Sequence, residues 1–232
     1  MKRNLFYLAA ADFTEAVELK PDDKVDQDDL KVALARQQNN QTAATAPSPQ
    51  ITISGKTADE YMQQGNVYYD NKQYAEALAE YTKAAELEPQ NYLPYYNRGN
   101  AYDEQGKSDL AIADYTKAID LNPRYDKAYY NRGITYTKRN NYDLAIADYT
   151  KAIELNPQHY NAYGNRGIAY SQQEKYDLAL ADFSKSISLK PTDGVSYARR
   201  AVIYCAQGNK ELAVLDEKKA IFLGAKLLMK CE

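Results

Sequence analysis

From Thr57 to the C-terminal end, apolar and small residues return along the chain in two alternating helical patterns. Between Tyr92 and Gln105, Tyr95, Gly99 and Tyr102 fall at three- and four-residue steps, which sets them on one face of a helix. Between Asp109 and Leu121 a second apolar face is built by Leu110, Ile112, Ala118, Ile119 and Leu121, and Pro123 stops it because proline cannot continue a helix. The pair then recurs every 34 residues: Gly65, Gly99, Gly133 and Gly167; Tyr68, Tyr102, Tyr136, Tyr170 and Tyr204; Ala77, Ala111, Ala145, Ala179 and Ala213; Pro89, Pro123, Pro157 and Pro191. Such a period predicts a solenoid, in which a unit buries its apolar face only against its neighbours. Function is then expected on a long surface and not in one enclosed pocket.

Five units follow from this register, 58–91, 92–125, 126–159, 160–193 and 194–227. Each places Gly or Ala eighth, Tyr eleventh and Ala twentieth. Four of them carry an aromatic residue at position twenty-four (Tyr81, Tyr115, Tyr149, Phe183) and Pro at thirty-two, and position twenty-seven is small throughout (Ala84, Ala118, Ala152, Ser186, Ala220). This set of spaced residues resembles the tetratricopeptide repeat. The resemblance implies an all-α fold, a right-handed superhelical solenoid of antiparallel helix pairs, working as a non-catalytic protein-binding scaffold or adaptor. The fifth unit departs, with Ala201 for glycine, Glu217 for the aromatic and Ala225 for proline, as a terminal unit facing water is expected to do.

The N-terminal quarter carries a fainter copy of the pattern. Ala11-Asp12-Phe13 and Leu19-Lys20-Pro21 repeat Ala181-Asp182-Phe183 and Leu189-Lys190-Pro191, so residues 1–21 are expected to form the second helix of an incomplete repeat and to dock on the first unit or on another chain, giving a homo-oligomer. Residues 22–57 read as a linker with one short helix and a polar tract that cannot offset its ordering entropy. Residues 228–232 read as a tail.

Composition narrows the function classes. A formal charge of −3 and a pI near 5.4 provide no basic field, so nucleic acid is not an expected partner. No apolar run approaches the 18 or so residues of a membrane span. The start, MKRNLFYLAAA, imitates a signal peptide only faintly, and Asn40-Gln41-Thr42 is a glycosylation sequon without a convincing export signal, so a cytoplasmic location is expected. Two late cysteines, Cys205 and Cys231, lack metal spacing and are expected as reduced thiols. One histidine, His159, has no imidazole, cysteine pair or ordered carboxylate set beside it, and no phosphate-binding glycine loop occurs. Neither catalysis nor a metal or other cofactor is expected.

The resemblance further implies that the first helix of each unit lines a concave groove, through positions two, five, six, nine, twelve and thirteen. Position six is Gln63, Asn97, Asn131, Asn165 and Arg199, so three asparagines are expected in a row, one repeat apart. An amide can donate to a carbonyl and accept from an N–H, which suits the backbone of an extended peptide. With Asn66, Tyr96, Asn100, Lys127 and Tyr130 they form the candidate peptide-binding set, and the amides and cations suit a partner bearing an acidic or C-terminal carboxylate. Relatives that hold chaperone tails use Lys, Asn, Asn, Lys and Arg where this chain has Met62, Asn66, Asn97, Lys127 and Asn131. Two cations are missing, which makes that reading the alternative, alongside a purely structural self-assembling element. Position seven is Arg98, Arg132, Arg166 and Arg200, and position twenty-three is acidic in every unit. These are read as arginine–carboxylate pairs between helices; free arginines would instead make an anion-binding stripe.

Overall fold

The computed structural model describes residues 55–226, so the expected half-repeat helix, the linker up to residue 54 and the tail lie outside the described residues. Ten helices succeed one another there: α1 Ala58–Asp70, α2 Tyr74–Leu87, α3 Tyr92–Glu104, α4 Ser108–Leu121, α5 Asp126–Lys138, α6 Tyr142–Leu155, α7 Tyr160–Gln172, α8 Tyr176–Leu189, α9 Gly194–Ala206 and α10 Lys210–Phe222. Each odd-numbered helix packs on the even-numbered helix after it, and each even-numbered helix on the next odd one. Odd helices of adjacent pairs also touch one another, whereas even helices do not. The row therefore bends with α1, α3, α5, α7 and α9 on its inner side.

Local chemistry sets the helix ends. Thr57 caps α1 by accepting from the Glu60 amide, while the Glu60 carboxylate accepts from the Thr57 amide at 2.8 Å. Asn91 caps α3 through the Leu93 amide. Between the two helices of a pair the chain turns through a left-handed residue: Lys72, Gly106, Asn140, Glu174 and Gly208 all have φ between 59° and 78°. Gly and Asn reach this conformation at little cost, whereas Lys72 and Glu174 adopt it against their Cβ.

The core is one motif repeated. Tyr81, Tyr115, Tyr149 and Phe183 are almost wholly buried, and each stabilises its pair by about 1.5–3 kcal/mol, as burial of a large apolar side chain does. The glycines opposite them are required by contact. A Cβ on Gly133 would lie 2.8 Å from Tyr149 Cε1, and one on Gly167 would lie 2.9 Å from Phe183 Cε1. In the fifth pair the aromatic is Glu217 and the glycine is Ala201, so the two departures are a single change. Leu110, expected on the apolar face of its helix, is about half exposed at 48%, as are its counterparts Leu144 and Leu178 at 50% and 49%.

The position-seven arginines join the pairs to each other. Arg98, Arg132, Arg166 and Arg200 each fork onto an aspartate of the helix that follows, Asp114, Asp148, Asp182 and Asp216, with all eight N–O distances between 2.7 and 2.9 Å. The third donor, Nη1, reaches back to a hydroxyl of the preceding helix: Thr82, Thr116, Thr150 or Ser184. Arginine–carboxylate pairing is thus present as expected, and the arginines are not free for an anion. The first pair has Gln64 at the arginine position. There Glu80 pairs with Lys83 at 3.2 Å and its Oε2 is buried without a partner. One expectation fails: Cys205 is disulfide-bonded and not a reduced thiol.

Candidate peptide-binding groove

The asparagines of α3, α5 and α7 connect one odd helix to the next. Asn97 Nδ2 donates to Asn66 Oδ1 at 3.1 Å. Asn131 Nδ2 donates to Asn100 Oδ1 at 2.8 Å and to Tyr96 Oη at 3.0 Å, and Asn165 Nδ2 donates to Tyr130 Oη at 3.1 Å. Seven of the nine candidate residues are thereby brought together. The same acceptors also bind the core: Tyr81 Oη donates to Asn66 Oδ1 and Tyr115 Oη to Asn100 Oδ1.

This changes what the amides offer. The sequence suggests amides that both donate and accept, yet their Nδ2 groups are engaged across the inner wall, and Asn131 uses both of its N–H bonds there. The Oδ1 atoms of Asn97, Asn131 and Asn165 accept no hydrogen bond among the described residues, which leaves them open as acceptors.

The two cations are placed differently. Lys127 is exposed at the start of α5, close enough to His159 to oppose that ring's protonation. Arg199, on α9, has its Nε buried without a hydrogen-bond partner. The reason lies in the register, since the preceding positions five and nine, which are Tyr130 and Ile134 one unit earlier and Tyr96 and Asn100 one before that, are Gly164 and Ile168 there.

A cavity of about 250 Å³ opens beside the row, lined by Tyr69, Asn100, Asp103, Glu104, Tyr115, Asn131, Ile134 and Lys138. Burial and the Glu104 carboxylate push the Tyr69 hydroxyl up to about 12, so it stays protonated and can donate. Asp103 is held by Lys138 Nζ at 2.7 Å and by Thr135 Oγ1 at 3.1 Å. Burial likewise raises Tyr96 and Tyr130 above the ordinary phenol range. Tyr69, Asp103, Glu104, Ile134 and Lys138 stand outside the candidate set, although they occupy the same register positions nine, twelve and thirteen. That recurrence is the signal that marks them.

His159 belongs to this wall. It caps α7, its Nδ1 accepting from the Ala162 amide at 3.3 Å, and its ring lies 4.4 Å from that of Tyr130. Tyr125, at the same register position one unit earlier, meets Tyr96 edge-on at 5.0 Å. Burial is the first cause that holds the imidazole below its ordinary pKa. Among the described residues no group of His, Cys, Asp and Glu could hold a metal ion, and no helix is long and apolar enough to cross a membrane.

Three stretches, 92–125, 126–159 and 160–193, match the tetratricopeptide repeat family, and residues 65–106 match a further description of that repeat. The chain belongs to the tetratricopeptide repeat family. Among curated proteins none matches it. Solved structures agree on the fold. MamA is similar with 26% identity and a TM-score of 0.66, over 69% of this chain and 94% of that one. YrrB, described as a tetratricopeptide protein with an unusual peptide-binding site, is 26% identical with a TM-score of 0.61, over 70% of this chain and 84% of its own. PilF of Pseudomonas aeruginosa shares the fold at 20% identity, with a TM-score of 0.68 over 73% and 77% of the two chains. This tetratricopeptide chain is therefore an all-α solenoid, and its family and its neighbours make it a protein-interaction scaffold.

Proposed function

We propose that this tetratricopeptide protein is a non-catalytic adaptor that holds an extended segment of a partner protein along its inner wall. The observation that carries the reading is the asparagine row of Asn97, Asn131 and Asn165, whose Nδ2 atoms are fixed by Asn66, Tyr96, Asn100 and Tyr130. Fixed amides cost little side-chain entropy when a ligand arrives, and their Oδ1 atoms suit the N–H groups of an extended backbone whatever its side chains. YrrB, a similar chain, is described as having a peptide-binding site, which supports the same use here. Lys127 and Arg199 add positive charge to the wall and favour a segment with an acidic group or a C-terminal carboxylate.

Selection from a displayed library of random linear peptides tests the reading. Wild-type protein enriches binders, and a counter-selection with the Asn97→Ala, Asn131→Ala, Asn165→Ala variant discards them. Peptides recovered equally well by both proteins would take the binding surface away from the row.

A further inference from the structure

The outer face of α10 departs from its counterparts on the other second helices. Positions nineteen, twenty-two, twenty-six and twenty-nine follow one another at three- and four-residue steps and form one stripe along such a helix. Position twenty-two is alanine in each of the first four units, and position twenty-nine is Glu86, Asp120, Glu154 and Ser188. In α10 these two positions are Leu215 and Phe222, 64% and 81% exposed, and the stripe also holds Leu212 at 47%. Lys219 lies between them, its Nζ 5.3 Å from the Phe222 ring centre. The helix cannot turn the stripe inward, because Ala213, Asp216 and Ala220 are buried on a different face and Arg200 grips Asp216.

We propose that this stripe is a self-association surface, on which a second copy of the chain lays its own α10 antiparallel. The charges beside the stripe select that arrangement. Glu211 stands at the start of α10, and Lys218 and Lys219 stand near its end. Antiparallel packing brings each Glu211 beside the lysines of the other copy, and parallel packing would set like charges together. An acidic or hydroxyl group at position twenty-nine keeps the same stripe soluble on the inner units. Three apolar side chains per copy make a contact smaller than a standard interface, so the dimer forms reversibly with rising concentration.

Sedimentation equilibrium of the full chain across concentrations from about 1 to about 500 µM tests this, a range chosen for a contact of that size. The weight-average mass is expected to climb from 26.3 kDa toward that of a dimer. Leu215→Ala with Phe222→Glu restores the residue types of the other units, uses good helix formers, and is expected to weaken the dimer at least tenfold with an unchanged circular dichroism spectrum. Glu211→Lys is expected to weaken it as well. Adding Lys218→Glu and Lys219→Glu to that variant recovers the dimer, which a parallel or unspecific contact would not do. A wild type that stays at 26.3 kDa throughout overturns the proposal. So does a dimer unchanged in the Leu215→Ala, Phe222→Glu variant, which would move the contact to another surface such as residues 1–21.

Discussion

Arg132 forks onto Asp148, Nε to Oδ2 and Nη2 to Oδ1 both at 2.8 Å, while its Nη1 holds Thr116 of the preceding pair at the same distance. Thr116 Oγ1 in turn donates to Ile112 O at 2.7 Å. One guanidinium thus fixes both the packing within a pair and the step to its neighbour.

Removing one side of such a half-buried pair leaves a charge without its partner, so Arg132→Ala is expected to cost about 3–5 kcal/mol. Arg132→Lys keeps the charge and loses the fork, and is expected to recover only part of that loss. Thr116→Val removes the single bond to the neighbour, which as a bond to a charged group is expected to cost about 1.5–3 kcal/mol. Urea unfolding monitored by circular dichroism measures all three, and an Arg132→Ala loss below that of Thr116→Val would contradict the clasp.

Gly133 lies where a Cβ would come within 2.8 Å of Tyr149 Cε1, so Gly133→Ala is expected to destabilise by about 1–3 kcal/mol, the usual cost of overpacking. Ala201→Gly, at the same position of the fifth unit where Glu217 stands in place of the ring, relieves no such clash and is expected to cost the helix penalty of glycine, about 1 kcal/mol, together with about 0.8 kcal/mol for the buried methyl. Thermal melts of the two variants compare them directly.

His159 makes stability depend on pH. Its folded-state pKa lies below its ordinary value because of burial first, and the opposing pull of Asp126 does not overcome it. Neutral imidazole is therefore favoured in the fold, and its contribution is complete above the unfolded pKa of about 6.5. It is lost as pH falls from there toward the folded pKa, since protonation removes the Nδ1 acceptor from the Ala162 amide and adds charge at a helix N-terminus. His159→Asn copies the cap that Asn91 provides for α3, and is expected to flatten the melting temperature between about pH 6.5 and 5, the range over which an ordinary histidine charges. A pH profile that keeps its slope in this variant would place the titrating group elsewhere.

Much of the fold was legible because its constraints lie at fixed spacings. Gly133 and Tyr149, or Arg132 and Asp148, recur together every 34 residues, and each pair answers one steric or electrostatic need. Thr82, Thr116, Thr150 and Ser184 recur as well, yet a hydroxyl at a helix position has many uses, and its role shows only when Arg Nη1 reaches it from the next pair. The direction of the groove amides was not legible. Asn131 is bound to Asn100 and Tyr96, 31 and 35 residues away, and no local pattern reveals which face of an amide such contacts leave open. The disulfide at Cys205 was hidden for a similar reason, because two isolated cysteines have no spacing to read.

Calorimetric titration of a library-selected peptide into wild type and into the Asn97→Ala, Asn131→Ala, Asn165→Ala variant tests the groove most directly. The three asparagines also tie the odd helices together, so the variant is expected to melt lower, and the titration is run at a temperature where circular dichroism shows both proteins folded. Each lost backbone bond contributes about 0.5–1.5 kcal/mol, so three together weaken binding by roughly tenfold to a thousandfold if they add. A loss in that range, with the same stoichiometry for the wild type, is the predicted result. Equal affinity for the two folded proteins would contradict the claim that the asparagine row holds the partner.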